Sequence, residues 1–132
     1  MRFGRSAQNG ALPSAPAGPP QTVAQRSDEL QFTPPELLTG SRTPTAQGDV
    51  YSLSVVLFLM VTGQMPFRAA SEKQMVERIR KGAHEPIRRL RPEAPDRLAR
   101  AIEAGMAAQV TQRFARAADL LAALQQSRKG LA

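Results

Sequence analysis

Cysteine is absent from the 132 residues, which excludes a disulfide framework, a thiolate metal site and a cysteine nucleophile. The absence fits a cytoplasmic chain. Histidine occurs once, in His84-Glu85-Pro86. A single imidazole in a loop after a helix reads as a solvated side chain, not as a catalyst or metal ligand. Long apolar runs are missing too. The most apolar stretch, Val50 to Val61, has 12 residues and includes Ser52 and Ser54, whereas a membrane span needs about 20. Met1-Arg2-Phe3-Gly4-Arg5 leads into Ser, Asn, Gly and Pro rather than an apolar h-region, so no secretory signal is expected. Strand-like alternation and hairpin turns between apolar runs are also lacking, and the fold class expected is all-α.

What is present suits one domain with a real core. The formal charge of +7 would suit an anionic partner. The excess is spread, however: from Arg68 to Arg100, ten Lys and Arg residues alternate with five acids. That pattern reads as solvated helix faces with pairs such as Glu77 and Lys81. A basic helical nucleic-acid-binding module is therefore the weakest of the readings.

Residues 8 to 20, QNGALPSAPAGPP, are rich in Gly and Pro and carry too little apolar surface to offset the entropy of ordering. Residues 1–31 are expected to be a flexible region, 32–127 a helical domain and 128–132 a tail. The first helix expected is the short Pro34-Pro35-Glu36-Leu37-Leu38-Thr39-Gly40, with prolines where a first turn tolerates them and Gly40 as a stop. A second opens on Asp49 as N-cap and runs to Gly63; being apolar on nearly every face, it belongs at the domain centre. A third spans Ser71 to Lys81, with Ser71 as cap, Gln74 in the capping-box position and Gly82 as stop. A Pro-punctuated loop fills 83 to 95. Asp96 to Ala108 is expected to be helical, followed by a last helix from Ala115 to Ser127 with Ala118, Leu121, Ala122 and Leu124 facing the core.

Four of these segments, in order, resemble the C-terminal part of the large lobe of a bacterial, Hanks-type serine/threonine protein kinase. Pro34-Pro35-Glu36 is similar to the A-P-E motif that closes the activation segment. Asp49-Val50-Tyr51-Ser52-Leu53-Ser54 is similar to the D-x-[YW]-S-x-G start of the central large-lobe helix, at a comparable spacing of 13 residues from Glu36. Thr62-Gly63-Gln64-Met65-Pro66-Phe67 resembles the T-G-x-x-P-F turn after that helix. Arg113 stands where the family places the arginine that pairs with the A-P-E glutamate. The physical requirement is plain: a buried carboxylate is costly unless a guanidinium meets it in bidentate geometry. The alternative leaves Glu36 and Arg113 as ordinary surface residues. For Asp49 the resemblance implies support of a catalytic loop, and the alternative is a plain N-cap. The third helix resembles the family's docking helix, with Met75 and Val76 as candidate partner contacts; packing onto the central helix is the competing reading.

The family's activity implies ATP and magnesium, held by a Gly-rich loop, a strand lysine, an H-R-D-type loop and a magnesium-binding Asp. The first three are absent from this sequence, which offers no catalytic and no metal-binding residues. Arg2-Phe3-Gly4 is either a D-F-G motif with Arg in place of Asp or an accidental Phe-Gly pair; arginine does not coordinate magnesium. Asp28-Glu29 stands where the family has G-T, and Ser54 replaces the family's helix glycine. Two readings remain. In one the chain is a degenerate C-lobe scaffold and docking module that does not phosphorylate by itself; in the other it is the terminal piece of an active kinase. In both, the central helix is expected to expose some of Tyr51, Val55, Phe58 and Leu59, inviting another protein or self-association.

Overall fold

The computed structural model describes residues 23–41 and 43–129. Its elements are α1 (Val23–Leu30), α2 (Pro35–Leu38), α3 (Ala46–Thr62), α4 (Glu72–Lys81), α5 (Ile87–Leu90), α6 (Asp96–Gly105), a 3-10 turn at Val110–Gln112, and α7 (Ala117–Lys129). No strand occurs among the described residues, in keeping with the all-α reading. Two expected boundaries move. Helix α1 lies inside the region assigned as flexible, because it packs against α4, and α7 extends beyond residue 127.

Helix α3 is the centre, as its composition demanded. Val50, Tyr51, Ser54, Val55 and Phe58 are buried, and α5, α6 and α7 pack on it. Its N-cap is Thr45, not Asp49. Thr45 has extended backbone and its hydroxyl accepts from Gly48 N at 3.0 Å. The Asp49 N–H already donates to Thr45 O at 3.1 Å, so Asp49 sits in the first turn. Its exposed carboxylate complements the helix dipole there. At the other end Gly63 takes φ 73°, which a side chain would strain, and its N–H closes on Leu59 O at 2.7 Å. Arg91 Nη1 covers a further terminal carbonyl, Val61 O, at 3.2 Å.

The capping chemistry of α4 follows its sequence. Ser71 Oγ accepts from Gln74 N at 3.1 Å, and Gln74 Oε1 accepts from Ala70 N at 2.7 Å, one residue ahead of the usual capping-box target. The segment 83–95 is not wholly a loop. Ile87 is fully buried, and Glu103 Oε2 accepts from Ile87 N at 2.9 Å, which lets the single turn α5 form where its N–H groups need an acceptor. Among the α7 side chains described, Leu120 is buried and Leu124 partly buried. Ala118, Leu121 and Ala122 are exposed, so the expected inward face is rotated; docking against α6 and α3 selects it.

The expected exposure on α3 is likewise on the wrong face. Tyr51, Val55 and Phe58 form the core, and Leu59 is half-buried. Leu53, Val56 and Met60 are exposed instead, Met60 at 73%. Spaced three and four apart, they make one apolar stripe along the outer side. On the inner side Ser54 is fully buried and faces Gly105 at the end of α6. A Cβ on Gly105 would stand 1.9 Å from Ser54 Oγ, so the helices approach closely only because residue 105 has no side chain.

Candidate functional site

The short α2 presents Glu36. Pro34 and Pro35 are buried and pre-set its first turn, Pro35 at the first helical position. Behind it, Gly48 gives room: a Cβ there would lie 3.3 Å from Pro34 Cγ and 3.6 Å from Glu36 Oε2. Arg113 reaches this place from the extended residue after the 3-10 turn. Its Nη2 donates to Glu36 Oε1 at 2.6 Å and its Nη1 to Glu36 Oε2 at 2.9 Å, a bidentate fork.

The remaining donors of Arg113 go to backbone carbonyls. Nε meets Ala107 O at 2.7 Å, Nη1 also meets Gln47 O at 3.0 Å, and Nη2 meets Ala108 O at 3.4 Å. All five N–H groups are thus engaged. The guanidinium carbon lies 5.0 Å from the centre of the Tyr51 ring, a cation–π distance. One side chain thereby ties α2, the start of α3 and the α6–α7 connection. The Arg113 hydrogen bonds hold the Glu36 carboxyl below its ordinary value against the opposing effect of burial. Burial pushes the Tyr51 phenol above the usual tyrosine range, and its hydroxyl has no hydrogen-bond partner among the described residues. The arrangement binds structure together; it presents no nucleophile or base to a substrate.

The turn after α3 forms a second junction. Thr62 Oγ1 donates to Phe58 O at 2.9 Å and accepts from Gln64 N at 3.1 Å. Pro66 is buried and its carbonyl accepts from Glu85 N at 2.8 Å. Phe67 is buried, and its N–H donates to Gln31 Oε1 at 2.9 Å. His84 is not a solvated loop residue: its ring packs edge-on against Phe58 and Phe67, with centroids 6.1 and 6.2 Å away. Its Nδ1 is 2.8 Å from Glu85 O and so carries the proton.

Of the candidate docking residues, Met75 is buried in the core and Val76 is half-buried, which removes Met75 from the surface of α4. Arg2, Phe3 and Gly4 lie outside the described residues. Sequence reasoning missed Gln31 and Ser52. Gln31 is 1% exposed, and Ser52 Oγ donates to Phe32 O at 2.6 Å, fastening the strand of chain before α2 onto α3. A polar residue wedged between apolar ones, as in Leu30-Gln31-Phe32, is the one signal that pointed to Gln31.

No group of three or more His, Asp or Glu side chains converges among the described residues. The described residues thus offer no ready-made metal cluster. Likewise, no described helix is long and apolar enough to cross a membrane. Six basic residues between Glu72 and Arg100, namely Arg80, Lys81, Arg88, Arg89, Arg91 and Arg100, pair with acids of the same segment, Arg100 with Asp96 at 2.8 Å and Lys81 with Glu77 at 4.0 Å among them.

Residues 20–123 match the family model described as protein tyrosine and serine/threonine kinase. The serine/threonine-protein kinase PknK of Mycobacterium tuberculosis is 38% identical over 90 residues, which is 67% of this chain and 8% of that protein. Mouse sperm motility kinase 3A is 42% identical over 67 residues, 51% of this chain and 13% of the relative. Mouse testis-specific serine/threonine-protein kinase 5 is 37% identical over 69 residues, again 51% of the chain and 18% of the relative. The chain therefore spans less than a fifth of each of these relatives. With the Glu36 to Arg113 fork and the buried central helix in place, the conclusion is that this chain belongs to the protein tyrosine and serine/threonine kinase family and carries part of its C-terminal lobe.

Proposed function

We propose that the chain acts as a kinase-family C-lobe scaffold and docking module that does not transfer phosphate by itself. The observation that carries this reading is the Arg113 anchor. It stabilises a C-lobe arrangement in a sequence without a Gly-rich loop, a strand lysine or an H-R-D-type loop, the parts that phosphoryl transfer requires. The scaffold then works by presenting surfaces, in the cytoplasm, to another protein or to a second copy of itself. The outer stripe of α3, with Leu53, Val56 and Met60, is the surface that such a partner would cover. Isothermal calorimetry with magnesium-ATP tests the inactivity. No heat of binding is expected from this chain, and clear saturable binding would sink the reading.

A second reading is favoured by that same stripe. A helix at the centre of a lobe has its apolar residues covered in a complete domain, so Leu53, Val56 and Met60 also suit the C-lobe piece of an active ATP-dependent serine/threonine kinase. The two readings part on the coding DNA upstream of Met1. An in-frame H-R-D-like stretch and a Gly-rich stretch support the second, and noncoding DNA there supports the first.

A further inference from the structure

Helix α3 carries no charged side chain from Val50 to Thr62, in a chain whose net charge is +7. Two copies of so basic a chain repel one another over most of their surface. The outer side of α3 is a place where they can meet without like charges. Leu53, Val56 and Met60 recur there at the three- and four-residue spacing of a coiled-coil seam.

The two ends of this seam differ. One turn before Leu53, on the same face, stands the exposed Asp49. At the other end Arg91 Nη1 donates to Val61 O at 3.2 Å, which fixes the guanidinium beside the last turn of α3. Its Nε pairs with Glu93 at 3.0 Å, and the side chain is still 51% exposed. Asp49 precedes Val56 by seven residues and Gly63 follows it by seven, about 10 Å in either direction at the helical rise. The stripe is therefore its own complement when turned end for end. Reversed about Val56, a second copy sets its Met60 against Leu53, its Leu53 against Met60 and its Val56 against Val56. The acid of each copy then lies at the arginine of the other, and the two helix dipoles run head to tail. An isologous pair requires such symmetry of the surface, and a foreign partner does not.

We propose that the chain forms a weak antiparallel homodimer through the outer side of α3, seamed by Leu53, Val56 and Met60 and closed at each end by Asp49 of one copy and Arg91 of the other. The proposal rests on the scaffold reading above and names its partner. A stripe of three side chains falls short of the roughly 1,000 Å² that a stable interface buries, so the association is reversible and set by concentration.

Sedimentation equilibrium of the unmodified chain should show a mass that rises with concentration from 14.3 kDa toward twice that value and stops there. Asp49→Lys and Arg91→Glu should each weaken association at least about tenfold, because every dimer then holds two like-charge contacts. Mixed in equal amounts, the two variants should pair nearly as well as the unmodified chain: the new lysine meets the new glutamate at one end, and Asp49 meets Arg91 at the other. A chain that stays monomeric up to about 1 mM, growth beyond a dimer, or single variants that do not restore each other would overturn the proposal. Should a charge reversal unfold the chain, thiol cross-linking decides. The sequence has no cysteine, so Val56→Cys supplies one thiol beside the two-fold axis. With diamide as oxidant it should form an intermolecular disulfide at least about tenfold faster than Gln109→Cys, at an exposed site after α6, because pairing raises the effective thiol concentration; equal rates would overturn the proposal. ATP calorimetry does not sense this face. A monomer that binds no ATP defeats the dimer alone, and a dimer that binds magnesium-ATP defeats the scaffold reading alone.

Discussion

The Arg113 junction and the outer side of α3 are built on opposite terms. At the junction every donor of a buried guanidinium has an acceptor, and three distant segments meet within one side chain's reach. On the outer side of α3, Leu53 and Val56 are about two-fifths exposed and Met60 is 73% exposed. The difference separates what the chain completes by itself from what it leaves for something else to complete. A buried charge is costly unless its partners are buried with it, and the junction supplies those partners from within the chain. Exposed apolar surface has no such requirement.

The sharpest way to break this contrast is Arg113→Ala. It strips the partners from Glu36 and from the carbonyls of Gln47, Ala107 and Ala108, and a loss of about 3–5 kcal/mol is expected in urea unfolding. Glu36→Ala should cost less, since three carbonyls still hold the arginine. The double variant should be no worse than Arg113→Ala alone. Additive losses would mean that the two side chains do not act together.

The next effect lies where α3 meets α6. Gly105→Ala places a Cβ against Ser54 Oγ and should destabilise by about 1–3 kcal/mol through overpacking. Ser54→Gly in the same chain should recover most of it. Ser54→Ala alone should leave stability unchanged or raise it by up to about 1 kcal/mol, because its buried hydroxyl has no partner among the described residues. A clear loss in Ser54→Ala would show that the hydroxyl is satisfied in solution.

Acid sharpens the comparison further. Glu36 is held below its ordinary value in the folded state, so the unfolded chain takes up that proton first. Its contribution is full above about pH 4.5, the unfolded glutamate value, and fades as pH falls through the lower folded value. Chemical unfolding at a series of pH values should show this decline, and Arg113→Ala should flatten it.

The smallest effect is predicted on the open side. Met60→Lys should change stability by no more than about 0.5 kcal/mol while lowering any self-association seen by sedimentation. A loss well beyond that would mean the stripe is already covered within the chain.

Much of this was legible in the residues. The all-α class, the central place of α3 and the Ser71 and Gly82 ends of α4 came from periodicity and caps, while the meeting of Glu36 with Arg113 came from the resemblance to the kinase family. The misses share one cause. Asp49 looked like the cap because cap types are read one residue at a time, yet Thr45 reached the free N–H groups first. On α7, Leu120 and Leu121 are both apolar, and only docking against α6 and α3 decides which of them turns inward. The exposed side of α3 was misjudged for the same reason, since a helix apolar all round carries no sign of its own orientation. The partner of Gln31 was illegible, because it is the Phe67 N–H, a backbone group 36 residues away.

The approach of Ser54 to Gly105 also limits the order in which this sequence could have changed. If residue 54 was once the glycine that the resemblance implies, residue 105 was then free to carry a methyl group. Once serine stood at 54, that freedom was gone. A serine arriving before glycine at 105 would have met a clash, so the glycine had to come first or at the same time. The constraint runs one way: Ser54 keeps residue 105 a glycine, while residue 54 itself is free to shrink, so anything larger returns to 105 only after the serine is given up.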